Sequence, residues 1–224
     1  IQRIKNEQTE KRKSELLALQ AQINPHFLYN TLDSIIWMSE SGKNEAVIEM
    51  TSSLSKLLRK SISNNREFVQ VEEEIEYTRD YLKIQKMRYH DKLDYKIAIQ
   101  PAILQAAIAK LLIQPLVENA IYHGIKMKEN GGLITIKGWA EEDTLYIQVL
   151  DDGVGMPLEV QAHLLDPRPD QNGKKVGIYN VQRRIQLYYG TRYGLRFKSK
   201  QGQGTAVTVT LPFIPGGDIH EEIS

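Results

Sequence analysis

The sequence predicts a two-part architecture of α plus α/β sandwich type. A helical region spans residues 1–90, a layered domain of mixed strand and helix spans 91–214, and a loose tail spans 215–224. Three observations lead there. Up to Tyr89 there is one glycine, Gly42, and one proline, Pro25, among long runs of good helix formers. From about residue 92 onward, short alternating strands and glycine clusters take over. In that second part adjacent strand pairs are separated by helical patterns, which favours α+β layers over a parallel doubly wound sheet.

Residues 1–39 read as one long helix, polar at its start, with Leu16, Leu19, Ile23 and Phe27 at helical spacing. Pro25 removes a backbone donor and is expected to kink it. Gly42 ends it. Val47, Met50, Leu54 and Leu57, at steps of three and four, mark a second helix with a coiled-coil-like seam, closed by Asn64-Asn65. A third helix runs from about Val71 to Tyr89, with Ile75, Leu82 and Tyr89 on one face. Two antiparallel helices bury too little apolar area to stand alone, so a homodimeric four-helix bundle is expected. Leu93, Tyr95, Ile97 and Ile99 alternate as a strand, and a helix is expected over 110–124. Further strands are expected at 133–139, 144–150 and 205–211, with a weaker one at 195–198. Helical patterns lie at 158–165 and 177–189.

Composition excludes several classes. With 41% apolar residues the chain has the surface to offset ordering entropy, so it is not disordered. With 29 Lys+Arg against 28 Asp+Glu there is no basic surplus, and no nucleic-acid partner is expected. The absence of cysteine removes disulfides, thiolate zinc sites and thiol nucleophiles. The longest apolar-leaning stretch, 102–117, is interrupted by Gln105, Lys110 and Gln114, and falls short of the roughly 18 apolar residues of a membrane span. Starting at Ile1 rather than Met, the chain reads as a soluble piece of a longer one.

Asp151 continues the phase of Leu145, Ile147 and Val149, so a carboxylate stands at the inner end of a half-buried strand. That is costly unless something donates to it. Gly153 and Gly155 follow directly and let backbone approach a flat or anionic ligand. An adenine pocket is one reading, and a tight turn capped by aspartates is the other. In QPLVENAIYHG, Asn119 and His123 share a helical face beside Glu118. The amide oxygen and the carboxylate are donors of the kind that suit Mg2+; a merely wetted helix face is the alternative. Gly177 opens a helix whose free N–H groups suit a phosphate, with Lys174, Lys175 and Arg183 adding charge. Gly202 and Gly204 recur in GQGT. Neither a Walker A sequence, nor G-x-G-x-x-G, nor a metal-type histidine cluster is present. Trp37 and Trp139 read as packing residues, and His90, His163 and His220 as surface residues.

N-A-I-x-H-G, D-x-G-x-G, a glycine-led helix and G-x-G-T, in this order over about 93–212, resemble the ATP-binding (GHKL, or Bergerat) domain of gyrase, heat-shock chaperones, histidine kinases and MutL. The resemblance implies a mixed sheet under helices that binds ATP and Mg2+. By it, Asp151 holds the adenine amino group, Gly153 and Gly155 line the pocket, and Asn119 binds Mg2+. His123, Lys175, Gly177, Gly204 and Thr205 complete the expected nucleotide site, and 156–176 form a lid over it. The third motif departs from the family's G-x-G-[LI]-x-N: Lys175 stands where its first glycine is usual.

LQAQINPHFLYNTLDSI, followed by LSKLLRKSI and EIEYTRDYLKIQKMRY, resembles the LytS/YesM-type sensor histidine kinases. The resemblance implies autophosphorylation of His26 from ATP, transfer to the aspartate of a response regulator receiver domain, a homodimer, and membrane anchoring only through upstream segments, on the cytoplasmic side. Phe27 follows His26 where many histidine kinases carry an acid, so the base is expected from elsewhere, with Glu118 the candidate. Asn30 lies four residues beyond His26, where other histidine kinases carry an Asn or Thr that orients a water for regulator dephosphorylation, and by that resemblance the same role is expected of it. A non-catalytic nucleotide-binding regulator and an ATP-driven clamp are the rival readings.

Overall fold

The computed structural model describes residues 25–62, 66–166 and 177–215. Three helices come first: α1 (Pro25–Glu40), α2 (Asn44–Ile62) and α3 (Val71–Tyr89). α1 buries Phe27, Thr31 and Met38, and α2 buries Met50, Leu54 and Leu57, so the expected seam is real. Ten of the nineteen residues of α3 are buried, including Glu74 and Asp80. That is more than one stripe supplies, because α3 packs on α1 and α2 and also on the sheet domain. Residues 1–24 of the first expected helix, on whose course the expected kink before Pro25 depends, and the Asn64-Asn65 stop fall outside the described residues.

Two three-residue strands, β1 (Phe68–Gln70) and β3 (Ala107–Ala109), pair antiparallel on either side of α3 in the chain. They are too short to show a period in sequence. The main sheet comprises β2 (Leu93–Ile99), β4 (Gly132–Glu141), β5 (Thr144–Asp151), β6 (Gly194–Lys200) and β7 (Gly204–Pro212), in the order β2-β4-β5-β7-β6. β2 runs parallel to β4 and every other pair of this sheet is antiparallel, the mixed sheet that the resemblance implies.

One face of this sheet is apolar. Ile134 and Ile136 of β4, Leu145, Ile147 and Val149 of β5, and Val207, Val209 and Leu211 of β7 are all buried there. Helices α4 (Gln114–Asn119) and α6 (Gly177–Tyr189) lie on the domain's helical layer, and α6 buries Ile178, Val181 and Ile185 at helical spacing. The short α5 (Leu158–His163) packs on β6.

The helix expected over 110–124 is shorter than its pattern. α4 starts only at Gln114, after Leu111 adopts φ +61°, and from Ala120 to Ile125 the coil widens into a π-helical turn closed by Lys126 N–H on the Ile121 carbonyl at 2.9 Å. A continuous apolar run reads alike as buried strand, turn or helix, so periodicity could not place this start. Trp37 is also not a packing residue: it is 51% exposed, with Lys43 Nζ 4.8 Å from its ring centre. No helix among the described residues is long and apolar enough to cross a membrane.

Candidate active site

At the end of β5 two adjacent carboxylates divide. Asp152 is committed to structure: its Oδ1 accepts the Leu133 N–H at 2.8 Å and its Oδ2 pairs with Lys128 Nζ at 3.3 Å. Asp151 faces the helical layer, where its Oδ1 accepts the Gly153 N–H at 2.9 Å. Burial pushes the pKa of Asp151 up to about 6. The N–H groups of Gly153 and Thr205 pull it back, Asp152 adds to the rise and Lys128 opposes it.

Glycines make the space around this carboxylate. A Cβ on Gly124 would stand 2.6 Å from Asp151 Oδ1, and one on Gly153 would strike the Gly124 backbone. Gly204 has φ +88°, and a Cβ there would strike the Asp151 carbonyl. No other residue meets both demands. Gly155 lies against the Lys200 carbonyl in the same way. Backbone bonds stitch the loops together: Val154 N–H reaches the Gly124 carbonyl at 3.3 Å, and Gly202 N–H the Val154 carbonyl at 2.7 Å. Three motifs far apart in sequence thus meet at one point.

Thr205 is buried, its hydroxyl 2.9 Å from that of Ser199. Ser199 Oγ also donates to the Gly204 carbonyl at 3.0 Å and accepts the Met156 N–H at 2.9 Å. Gln161 of α5 donates to the carbonyls of Ser199 (3.0 Å) and Met156 (3.3 Å) and accepts the Ser199 N–H (3.2 Å). Sequence reasoning missed Ser199 and Gln161, since a single serine in a strand and a glutamine on a short helix carry no motif.

On α4, Glu118 accepts from Gln114 Nε2 at 2.8 Å, and burial raises its pKa against that hydrogen bond. Asn119 beside it is half-buried, and His123, in the π turn, is exposed. In the first turn of α6, Asn180 Oδ1 is buried with no hydrogen-bond partner among the described residues. Gly177 is exposed at the head of that helix, with nothing within 4 Å of where a Cβ would stand. Lys174 and Lys175 lie outside the described residues.

His26 is exposed on α1, with Asn30 Nδ2 3.0 Å from its Nδ1 and 3.2 Å from its Nε2. Phe27, next to it, packs on Tyr81 of α3 with ring centres 5.0 Å apart, which fixes this end of α1 to α3. The described residues therefore gather Asp151, Gly153, Gly155, Gly204 and Thr205 around the Gly124 end of the π turn, while His26 and Asn30 form a pair on α1.

This donor set fits a nucleotide. A largely desolvated carboxylate beside backbone at close approach suits an amine on a flat ring, and Asn180 Oδ1 is an acceptor awaiting a partner. No group of three or more His, Asp or Glu among the described residues could hold a metal ion alone. A hard cation here needs a ligand's own oxygens, as Mg2+ does with phosphates.

The family model described as histidine kinase matches residues 14–93. The model for histidine kinase-, DNA gyrase B- and HSP90-like ATPases matches residues 105–215, the segment that holds the Asp151 pocket. The chain belongs to the histidine kinases. The chain is 36% identical over 201 residues to sensor histidine kinase YesM of Bacillus subtilis, covering 90% of this chain and 34% of the relative. It is 34% identical to sensor histidine kinase YpdA of Escherichia coli, covering 89% of this chain and 34% of the relative. The chain thus spans about a third of the length of these relatives. Among solved structures, the catalytic domain of histidine kinase ThkA in a nucleotide-free form superposes with a TM-score of 0.52 at 14% identity, over 66% of this chain and 97% of that one. The mycobacterial sensor histidine kinase MprB gives 0.50 at 18%, over 66% and 98%. At such identities these two show the shared fold of a histidine kinase catalytic domain.

Proposed function

We propose that this kinase core takes the γ-phosphoryl group of ATP onto His26 and passes it to an aspartate of a response regulator receiver domain. The observation that carries this reading is the exposed imidazole of His26, held by Asn30, in one chain with the glycine-walled Asp151 pocket. Ionised Asp151 accepts from the adenine amine, and Gly153, Gly155, Gly204 and Thr205 shape the wall. Asn119 is the residue that would hold Mg2+ together with the phosphates; His123, Lys175 and Gly177 would serve the phosphates. Mg2+, when bound, neutralises charge on the transferring group.

The unprotonated ring nitrogen of His26 attacks the γ-phosphorus. The bond to the β–γ bridging oxygen breaks, ADP leaves with that electron pair, and the proton on the other ring nitrogen passes to a base. Glu118 is assigned as this base, since burial raises its pKa toward the working pH. Asn30 orients the water that hydrolyses the phosphorylated regulator.

The chain divides functionally into 1–90 for dimerisation and phosphotransfer, 91–214 for ATP and 215–224 as a tail. Tyr29, Leu32 and Ile36 on one face of α1, with Ile48 on α2, are 42–69% exposed, an apolar stripe suited to a second copy. Segments upstream of this core anchor the whole protein to the membrane, with the core on the cytoplasmic side.

Incubation with γ-labelled ATP and Mg2+ tests the reading. Acid-labile, alkali-stable label is expected on wild type and none on His26→Gln. Asn30→Ala is expected to keep the label and to dephosphorylate the regulator more slowly. ATP bound without label on wild type overturns the reading in favour of a non-catalytic nucleotide-binding regulator.

A further inference from the structure

A second polar cluster lies outside the pocket, at the turn 110–113 that feeds α4. Leu111 holds φ +61° there, a conformation that costs a non-glycine residue about 1–2 kcal/mol and persists only where its surroundings over-determine it. The surroundings are two buried, oppositely charged side chains. Glu74, in the first turn of α3 and 2% exposed, accepts the Leu111 N–H on Oε2 and the Ile113 N–H on Oε1, each at 3.0 Å. Arg184 of α6, 4% exposed, donates from Nη1 to the carbonyls of Lys110 and Leu111, each at 2.9 Å. One chain segment is thus gripped by its N–H groups from α3 and by its carbonyls from α6.

The grip extends to the helical hairpin. Lys110 Nζ donates to the Lys60 carbonyl in the last turns of α2 at 3.2 Å, and Lys110 N–H donates to the Glu67 carbonyl at 3.0 Å. The residue after the turn, Gln114, begins the helix that carries Glu118 and Asn119, and α6 carries Asn180. Burying a carboxylate and a guanidinium is a costly way to hold a loop, because the desolvation cost rivals the attraction between them. It is a geometrically strict one, since two-point contacts on each side fix both the height and the rotation at which α4 starts.

We infer that Glu74 and Arg184 are positioning residues for the nucleotide. By clamping the turn 110–113 they set α4 and α6 relative to Asp151, and they make nucleotide affinity depend on where α2 and α3 lie. The inference rests on the ATP-binding reading above. It goes beyond it by placing part of the determinant of ATP affinity on α3, a helix outside the pocket.

The test is titration calorimetry with ATP, together with thermal melting and amide hydrogen exchange, on the full 224-residue chain. Glu74→Gln presents an N–H group where an acceptor is needed. It is expected to weaken ATP binding by about tenfold, within the range of coupling energies between linked sites, and to speed exchange at the Leu111 and Ile113 amides. Leu82→Ala, which removes core volume two turns further along α3, is expected to lower the melting temperature while leaving affinity within about twofold, since it leaves the clamp in place. Combining Glu74→Gln with Arg184→Lys is expected to cost no more affinity than the worse single change, because the two side chains act on one turn. If Glu74→Gln does not fold, Arg184→Lys alone carries the same expectation, as the shorter lysine side chain does not bring its nitrogen to where Nη1 meets both carbonyls. Folded variants that melt lower yet bind ATP like wild type overturn the inference. Folded wild type that binds no ATP overturns instead the reading on which it rests.

Discussion

Asp151 and Asp152 are adjacent in the chain and electrostatically unlike. Lys128 and the Leu133 N–H satisfy Asp152, whereas Asp151 is held near pKa 6 by burial. The elevated value sets opposite signs for stability and for binding. Between the ordinary 3.8 and about 6 the folded state binds more protons than the unfolded one, so this group's contribution to stability falls as pH rises through that window. Acceptance from an amine needs the ionised form, so ATP affinity is expected to fall as pH drops below about 6. Asp151→Asn removes both effects. At pH 7.5 it is expected to melt above wild type and to bind no ATP, and the difference in melting temperature is expected to shrink toward pH 4. Thermal melts and calorimetry across that range check both. A variant that melts lower at pH 7.5 would show the carboxylate stabilising the pocket rather than being tolerated there for function.

At the level of elements, the short helix α5 has no buried residue of its own, and isolated helices so short are marginal in water. What holds it is Gln161, whose three hydrogen bonds to the backbone of Ser199 and Met156 fasten it to β6. Gln161→Ala is expected to cost no more than about 1–3 kcal/mol in global stability and to raise hydrogen exchange selectively in α5. Dissociation of a fluorescent ATP analogue is expected to quicken in stopped flow, because α5 opens the segment assigned as lid. Exchange in α5 equal to wild type would show that the helix is held by other means. The same reasoning explains the helix start at Gln114. An all-apolar stretch offers no polar face to mark where helix begins, and the deciding bonds come from Glu74 and Arg184, on other elements.

For the molecule as a whole, the apolar stripe on α1 is a surface that a single chain leaves uncovered. Ile36 is 57% exposed and Leu32 42%, so charges placed there disturb little within one protomer. Leu32→Glu with Ile36→Glu is expected to convert a dimer to a monomer in sedimentation equilibrium while preserving the melting of the ATP-binding part. Retention of the dimer would place the second copy on another surface. α3 joins the two parts of the chain, packing Tyr81 against Phe27 on one side and lending Glu74 to the turn before α4 on the other. A shift of the helical hairpin is therefore expected to be felt at the start of α4.

The sequence by itself determined the order of the elements, all five strands of the main sheet, the helices α3 and α6, and the glycine motifs that meet around Asp151. The strands and helices are written in local periodicity, and the glycine motifs in their residue types and order along the chain. Tertiary structure alone decided the β1–β3 pair, the late start of α4, the parting of Asp151 from Asp152, and the roles of Ser199, Gln161, Glu74 and Arg184. The reason is distance along the chain. Glu74 meets its partners 37 and 39 residues away and Arg184 meets its own 73 and 74 residues away. A buried charge is recognisable only from what the fold brings to it, since the same glutamate on an open helix face would be an ordinary solvated residue.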